Sequence, residues 1–170
     1  MKNIECKVRV DEILSFEKKL GLLSPVYKGL DLQVDTYFKV AHGRLKLREG
    51  NIENALIHYQ RADVAEAKTS TILLYTHEPN KALKEILSLH LGVQTVVRKE
   101  RKIYFIDHVK FHFDTVDGLG YFIEIEVIDR NDTLLEQNMH LQLEKYFDYL
   151  GLKKENLIAQ SYSDMLGASN

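Results

Sequence analysis

Polar and apolar residues alternate with a period of two along much of this chain, the pattern of strands with two unlike faces. In residues 3–10 one face carries Asn3, Glu5, Lys7 and Arg9, and the other Ile4, Cys6, Val8 and Val10. Strands are likewise expected within 24–40 and at 44–48, 54–61, 69–76, 93–106, 110–114 and 121–127. Short turn signals separate many of them, among them Ala41-His42-Gly43, Gly50-Asn51 and Asp107-His108. Three stretches switch to a helical period. The first, 12–20, has Asp11 as its cap, Ile13, Leu14, Phe16 and Leu20 on one face, and Gly21 as its stop. The second, 79–91, places Pro79 in its first turn and buries Leu83, Ile86, Leu87 and Leu91. The third starts from Asp132 as cap and runs to about 150, where Gly151 stops it. About eight strands with interrupting helices predict an antiparallel α+β domain, and so many alternating strands suit a closed sheet.

Composition narrows the class. The chain has 170 residues, so residues 1–170 are expected to form a single domain with a core that needs no staples. A net charge of −2 argues against a general nucleic-acid binder. Cys6 is the one cysteine, which excludes an internal disulfide and a cysteine-based zinc site. No apolar run is long enough to span a membrane, and the N-terminus shows no signal-peptide core, so a cytoplasmic protein is expected.

The polar faces share a chemistry. They carry Glu5, Lys7, Arg9, Arg44, Lys46, Arg48, Arg61, Lys99, Arg101, Asp114, Glu124 and Glu126. Arginine offers a bidentate fork to phosphate and lysine a point charge. Carboxylates can hold a hard divalent cation. Bases and carboxylates on facing strands are what a metal-bound polyphosphate requires. The same pattern also suits a half-solvated sheet with cross-strand Glu–Lys pairs, and periodicity leaves both readings open.

The ordered set of motifs resembles the CYTH family of triphosphate tunnel metalloenzymes, within it the class IV adenylyl cyclase type. Asn3-Ile4-Glu5-Cys6-Lys7 stands where that family opens with Glu-x-Glu-x-Lys. Further matches are 33–38, Leu45-Lys46-Leu47-Arg48-Glu49, 99–104, the run from His112 through Asp114 and Gly118-Leu119-Gly120 to Glu124-Ile125-Glu126, and the closing 161–166. The resemblance implies an eight-stranded antiparallel β-barrel, helices packed outside and charged faces turned inward. It implies Glu5, Glu124 and Glu126 as ligands for Mg²⁺ or Mn²⁺. It implies Lys7, Lys46, Arg48, Arg61, Lys99 and Arg101 around a nucleoside or other triphosphate, with Lys7, Arg101 and Asp114 catalytic. Asp114 is expected as a metal ligand or a positioning group, and Arg9 and Arg44 at the tunnel mouth. The implied activity is conversion of ATP to cyclic AMP and pyrophosphate. Alternatives are hydrolysis of a triphosphate such as thiamine triphosphate or tripolyphosphate, and a triphosphate-binding module without turnover. Neither nucleic acid nor membrane is an expected partner, and members of this type can be homodimers. Asn3 departs from the family by removing one carboxylate. Asp35 and Tyr37 are expected to be structural, and His58 and His112 to be exposed or internally satisfied.

Overall fold

The computed structural model describes residues 2–60, 68–131 and 133–167. Eight strands form the frame: β1 (Lys2–Val10), β2 (Val26–Phe38), β3 (Arg44–Glu49), β4 (Ala55–Gln60), β5 (Lys68–Thr76), β6 (Val93–Ile106), β7 (Val109–Val116) and β8 (Gly120–Asp129). Helices α1 (Leu14–Gly21), α2 (Lys81–Leu91), α3 (Glu136–Leu150) and α4 (Tyr162–Gly167) accompany them, with a short 3₁₀ turn at Lys154–Asn156. Every strand pairs antiparallel with two neighbours, and the order β1-β5-β4-β3-β2-β6-β7-β8 closes into a barrel. Closure is made where Lys2–Glu5 of β1 pair with β5, so the two end strands of the sheet cover each other there. Among the described residues no helix is long and apolar enough to cross a membrane.

Alternation along the strands splits the molecule into an outer core and a lumen. On β1, β7 and β8 the outward residues are Ile4, Cys6, Val8, Val109, Phe111, Phe113, Ile123, Ile125 and Val127. They pack beneath Leu20 of α1 and Met139, Leu143, Tyr146, Phe147 and Leu150 of α3. Phe111 and Tyr146 meet edge to face at 5.0 Å between ring centroids. Each such side chain contributes roughly 1.5–3 kcal/mol by leaving water, so this one-sided core carries the fold. Cys6 lies in it, and burial pushes its thiol up to about 12, which makes it inert packing. A second cluster fills one end of the lumen: Tyr37, Ala55, Ile57, Tyr59, Val97, Val116 and Phe122 meet Tyr162 and Met165 of α4.

Several boundaries differ from the sequence reading, each for a local reason. Helix α1 begins at Leu14 rather than 12, because the Glu12 carboxylate accepts the Ser15 N–H (3.1 Å) and holds a turn there. Asn80 caps α2 by accepting the Ala82 N–H (2.9 Å), so Pro79 precedes the helix instead of sitting in its first turn. Helix α3 starts only at Glu136. The expected cap Asp132 lies outside the described residues. Asp129, two residues beyond the expected end of β8, accepts the N–H groups of Asn131, Thr133 and Leu134 and organises that turn.

Phe111 has no exposed surface, so Phe111→Ala is expected to cost about 3–5 kcal/mol, read as a lower urea midpoint with the barrel fold retained.

Candidate functional site

The inward faces meet around Asp35 of β2. Its carboxylate accepts Arg48 Nε and Nη2 (both 2.8 Å), Lys46 Nζ (3.0 Å) and Lys99 Nζ (2.8 Å). Strand pairing makes this meeting unavoidable, since Arg48 lies directly across from Asp35 on β3 and Lys99 across from Gln33 on β6. Burial alone would raise the Asp35 pKa, but the three cations hold it well below the usual carboxylate range. Lys99 feels the opposite balance. Burial lowers its pKa, Arg48, Arg101 and Lys46 repel its charge, and Asp35 only partly compensates. Asp35 therefore stays anionic, while the charge of Lys99 is supported only in part.

A second unit forms where β6, β7 and β8 face one another. Arg101 donates from Nε and Nη2 to both oxygens of Asp114 (2.7 and 2.5 Å) and from Nη2 to Glu124 (2.8 Å). The Tyr162 hydroxyl on α4 donates to Asp114 as well (2.8 Å). Asp114 is thus surrounded by donors, and its pKa is lowered because Arg101 overcomes the effect of burial. Lys7 lies 3.4 Å from Glu124 and 3.9 Å above the Tyr162 ring. His112 Nδ1 bonds Glu124 (3.1 Å), while its buried Nε2 has no partner. Burial, then Arg101 and Lys110, push the imidazole down to about 3, so it is neutral at physiological pH. His112 is satisfied at one nitrogen only, and it belongs to the lumen.

The acidic wall lies along β1 and β8. Glu5 is directly paired with Glu126, and Lys7 with Glu124. Burial together with the charges of Glu5 and Glu124 raises the Glu126 pKa, against Lys110 and Asn3. Asn3 Nδ2 donates to Glu126 (2.6 Å), and its buried Oδ1 has no partner. Among the described residues no three carboxylate, imidazole or thiol groups converge as a ready-made metal cage. Glu5, Glu124 and Glu126 line one wall without forming such a triad. The donors still have the chemistry a hard cation wants: oxygen ligands, mutual repulsion to relieve, and one unsatisfied carbonyl oxygen.

Arg44 reaches Asp164 on α4 (2.8 Å), and Arg9 donates to the Leu119 carbonyl (2.7 Å) and approaches Met165, so both stand at the α4 end of the barrel. Arg61 lies outside the described residues. Sequence reasoning assigned no chemistry to Asp35, and it missed Glu53, Lys110 and Tyr162. Asp35 and Lys110 share a parity with inward-facing neighbours, which was a usable signal. Glu53 sits in a turn, where period two says nothing. The clefts at Phe105–Leu134 and Asp11–Tyr121, about 420 and 380 Å³, lie away from these cations.

A family model described as the CYTH domain matches residues 1–162. The adenylate cyclase CyaB of Aeromonas hydrophila is 25% identical over 170 residues, covering 94% of this chain and 85% of that protein. The PH1012 protein of Pyrococcus horikoshii OT3 shares the fold with a TM-score of 0.80 at 27% identity, over 95% of this chain and 98% of that one. HpAC1 of Hippeastrum, a candidate adenylyl cyclase with a dominant triphosphatase activity, shares the fold at a TM-score of 0.68 and 13% identity, over 99% of this chain and 96% of that one.

The lowered His112 pKa sets a sign for acid sensitivity. The folded state favours neutral imidazole, so this stability is complete above the unfolded value of 6.5 and is lost as pH falls toward about 3. The His112 contribution to the unfolding free energy is expected to drop by about 2 kcal/mol between roughly pH 7.5 and pH 5. Denaturant titrations across that range should show this slope, and His112→Gln should flatten it.

Proposed function

This chain belongs to the CYTH domain family, and we propose that it is a divalent-metal-dependent enzyme of the class IV adenylyl cyclase type, converting ATP to cyclic AMP and pyrophosphate. The observation that carries the reading is the row of basic side chains in the lumen. Lys46, Arg48, Lys99 and Arg101 are all turned inward, with Lys7 on the adjoining wall, in a barrel about wide enough for side chains and one small ligand. Fixed anions now hold these groups in place. A triphosphate, with about four negative charges near neutral pH, would add counter-charge to a row in which Asp35 alone faces Lys46, Arg48 and Lys99 together.

The row works by preorganisation. Asp114 presents the Arg101 guanidinium in a fixed orientation, and Asp35 does the same for Arg48. Leaving-group charge that grows on the phosphate oxygens then meets cations already in position, which lowers the barrier without reorganisation at the moment of reaction. In the cyclase reaction the ribose 3′-oxygen attacks the α-phosphorus and pyrophosphate leaves. Glu5 and Glu126, with Glu124 and the Asn3 carbonyl oxygen beside them, would hold Mg²⁺ or Mn²⁺, which when bound supplies further charge neutralisation on the phosphate oxygens. Asn3 contributes no charge to this set, which weakens the hold relative to a carboxylate at that position. Tyr162 stays a hydrogen-bond donor, because burial and then Asp114 and Glu124 raise its pKa well above the usual phenol value.

A second reading has its own support. HpAC1 of Hippeastrum shares the fold and has a dominant triphosphatase activity, and the same cationic row serves attack by water on the terminal phosphorus.

Purified protein incubated with Mg²⁺ or Mn²⁺ and ATP, thiamine triphosphate or tripolyphosphate separates the readings by product. Cyclic AMP with pyrophosphate is expected for the cyclase, and orthophosphate would place the protein among hydrolases. Tight binding with no product, unrescued by Asn3→Glu, would instead mark a binding module. Arg101→Ala is expected to weaken triphosphate binding by roughly tenfold or more through loss of charge-assisted hydrogen bonds. Glu5→Gln should chiefly raise the metal concentration needed for half-maximal turnover. Negligible effects of both substitutions on binding and turnover would refute the assigned roles.

A further inference from the structure

The end of the barrel away from α4 is covered by the short connection between β3 and β4, and that connection is tied down. Asp31, fully buried on β2, accepts the N–H groups of Ile52 (2.9 Å) and Glu53 (3.0 Å). The Asn54 side chain accepts the Gly50 N–H (3.1 Å) and donates to the Gly50 carbonyl (2.9 Å). Asn51 accepts the Leu32 N–H (2.6 Å) and donates to the Leu30 carbonyl (3.0 Å). A Cβ on residue 50 would stand 2.5 Å from an Asp31 oxygen, so the close approach admits only glycine. The connection is a fixed arm, and the group it carries into the lumen is Glu53.

The Glu53 carboxylate bonds Lys110 Nζ (2.5 Å), Arg48 Nη1 (3.1 Å) and Gln33 Nε2 (3.2 Å). Arg48 thereby has two anionic neighbours. Its Nε and Nη2 serve Asp35 inside the row, and its Nη1 faces Glu53 at the row's end. An anion lying along Lys46, Arg48, Lys99 and Arg101 meets a fixed negative charge just past Arg48. Burial would raise the Glu53 pKa, but Lys110 first and then Arg48 hold it low, so the group is ionised. For the carboxylate to withdraw, it would have to give up its bonds to Lys110, Arg48 and Gln33, because the arm's own backbone is held by Asp31.

We propose that Glu53 is the stop of the phosphate row: it sets how many phosphates the lumen takes, admitting a triphosphate and refusing a longer linear polyphosphate. This rests on the triphosphate reading above. A fourth phosphate would have to sit against the Glu53 carboxylate or displace it from Lys110 and Arg48, and like charges in contact repel. Lys110 does not extend the row; it keeps Glu53 ionised and aimed. The chain would thus select short triphosphate tails over inorganic polyphosphate.

The test is calorimetric titration of inorganic tripolyphosphate and linear tetraphosphate, with Mg²⁺ present, into the wild type, Glu53→Gln and the double variant Glu53→Gln/Lys110→Met. The double variant leaves no orphaned lysine, so it carries the test if the single one does not fold. Wild type is expected to prefer triphosphate over tetraphosphate by on the order of tenfold, and both variants to erase that ratio, tetraphosphate gaining more than triphosphate. Equal gains for the two ligands, an unchanged ratio, or a wild-type preference for tetraphosphate would overturn the proposal while leaving triphosphate binding intact. If wild type binds neither chain, the triphosphate reading itself fails and this inference falls with it.

Discussion

One carboxylate, Asp35, makes the lumen of this barrel tenable. Arg48, Lys46 and Lys99 all turn inward where water is scarce, and three like charges in that space would push the strands apart. Asp35 lies within 3.0 Å of each of them. The rest of the interior follows the same rule on a smaller scale: Asp114 serves Arg101, Glu124 serves Arg101 and Lys7, and Glu53 serves Arg48 and Lys110. The lumen is built as alternating charge, and the balance is uneven enough that Lys99 remains under-compensated.

Such an interior is a poor source of stability. Desolvation of buried ions offsets much of their mutual attraction, and apolar replacements of similar shape are often as stable or more so. The stabilising work falls on the opposite face of the same strands, where Phe111, Phe113, Ile123 and Ile125 pack beneath α1 and α3. The two faces of β1, β7 and β8 thus divide the labour. One holds the barrel closed, and the other spends part of that stability keeping cations where a polyanion can meet them.

Helix α4 joins the two regions. Met165 and the Tyr162 ring complete the apolar cluster at one end of the lumen, while the Tyr162 hydroxyl reaches Asp114 in the charged part. The β3–β4 connection closes the other end with a carboxylate in place of an aromatic ring. The row of cations therefore has unlike boundaries, apolar and aromatic toward α4 and anionic toward Glu53.

The sequence by itself determined the strands, their two-faced character and the parity of Glu5, Lys7, Lys46, Arg48, Lys99, Arg101, Asp114, Glu124 and Glu126, because a period of two is a local property of the backbone. The ordered motifs further pointed to an inward polar face, which periodicity alone left undecided between lumen and solvent. Closure of the sheet settled that face, since inside and outside exist only once β1 pairs with both β5 and β8. Partnerships between residues far apart in the chain needed the same closure. Asp35 gathers Lys99 from 64 positions away, Tyr162 reaches Asp114 across 48, and Asn3 meets Glu126 across 123. Glu53 was beyond sequence reasoning for a different reason: a residue in a turn has no face until the turn is fixed, and Asp31 on another strand fixes it.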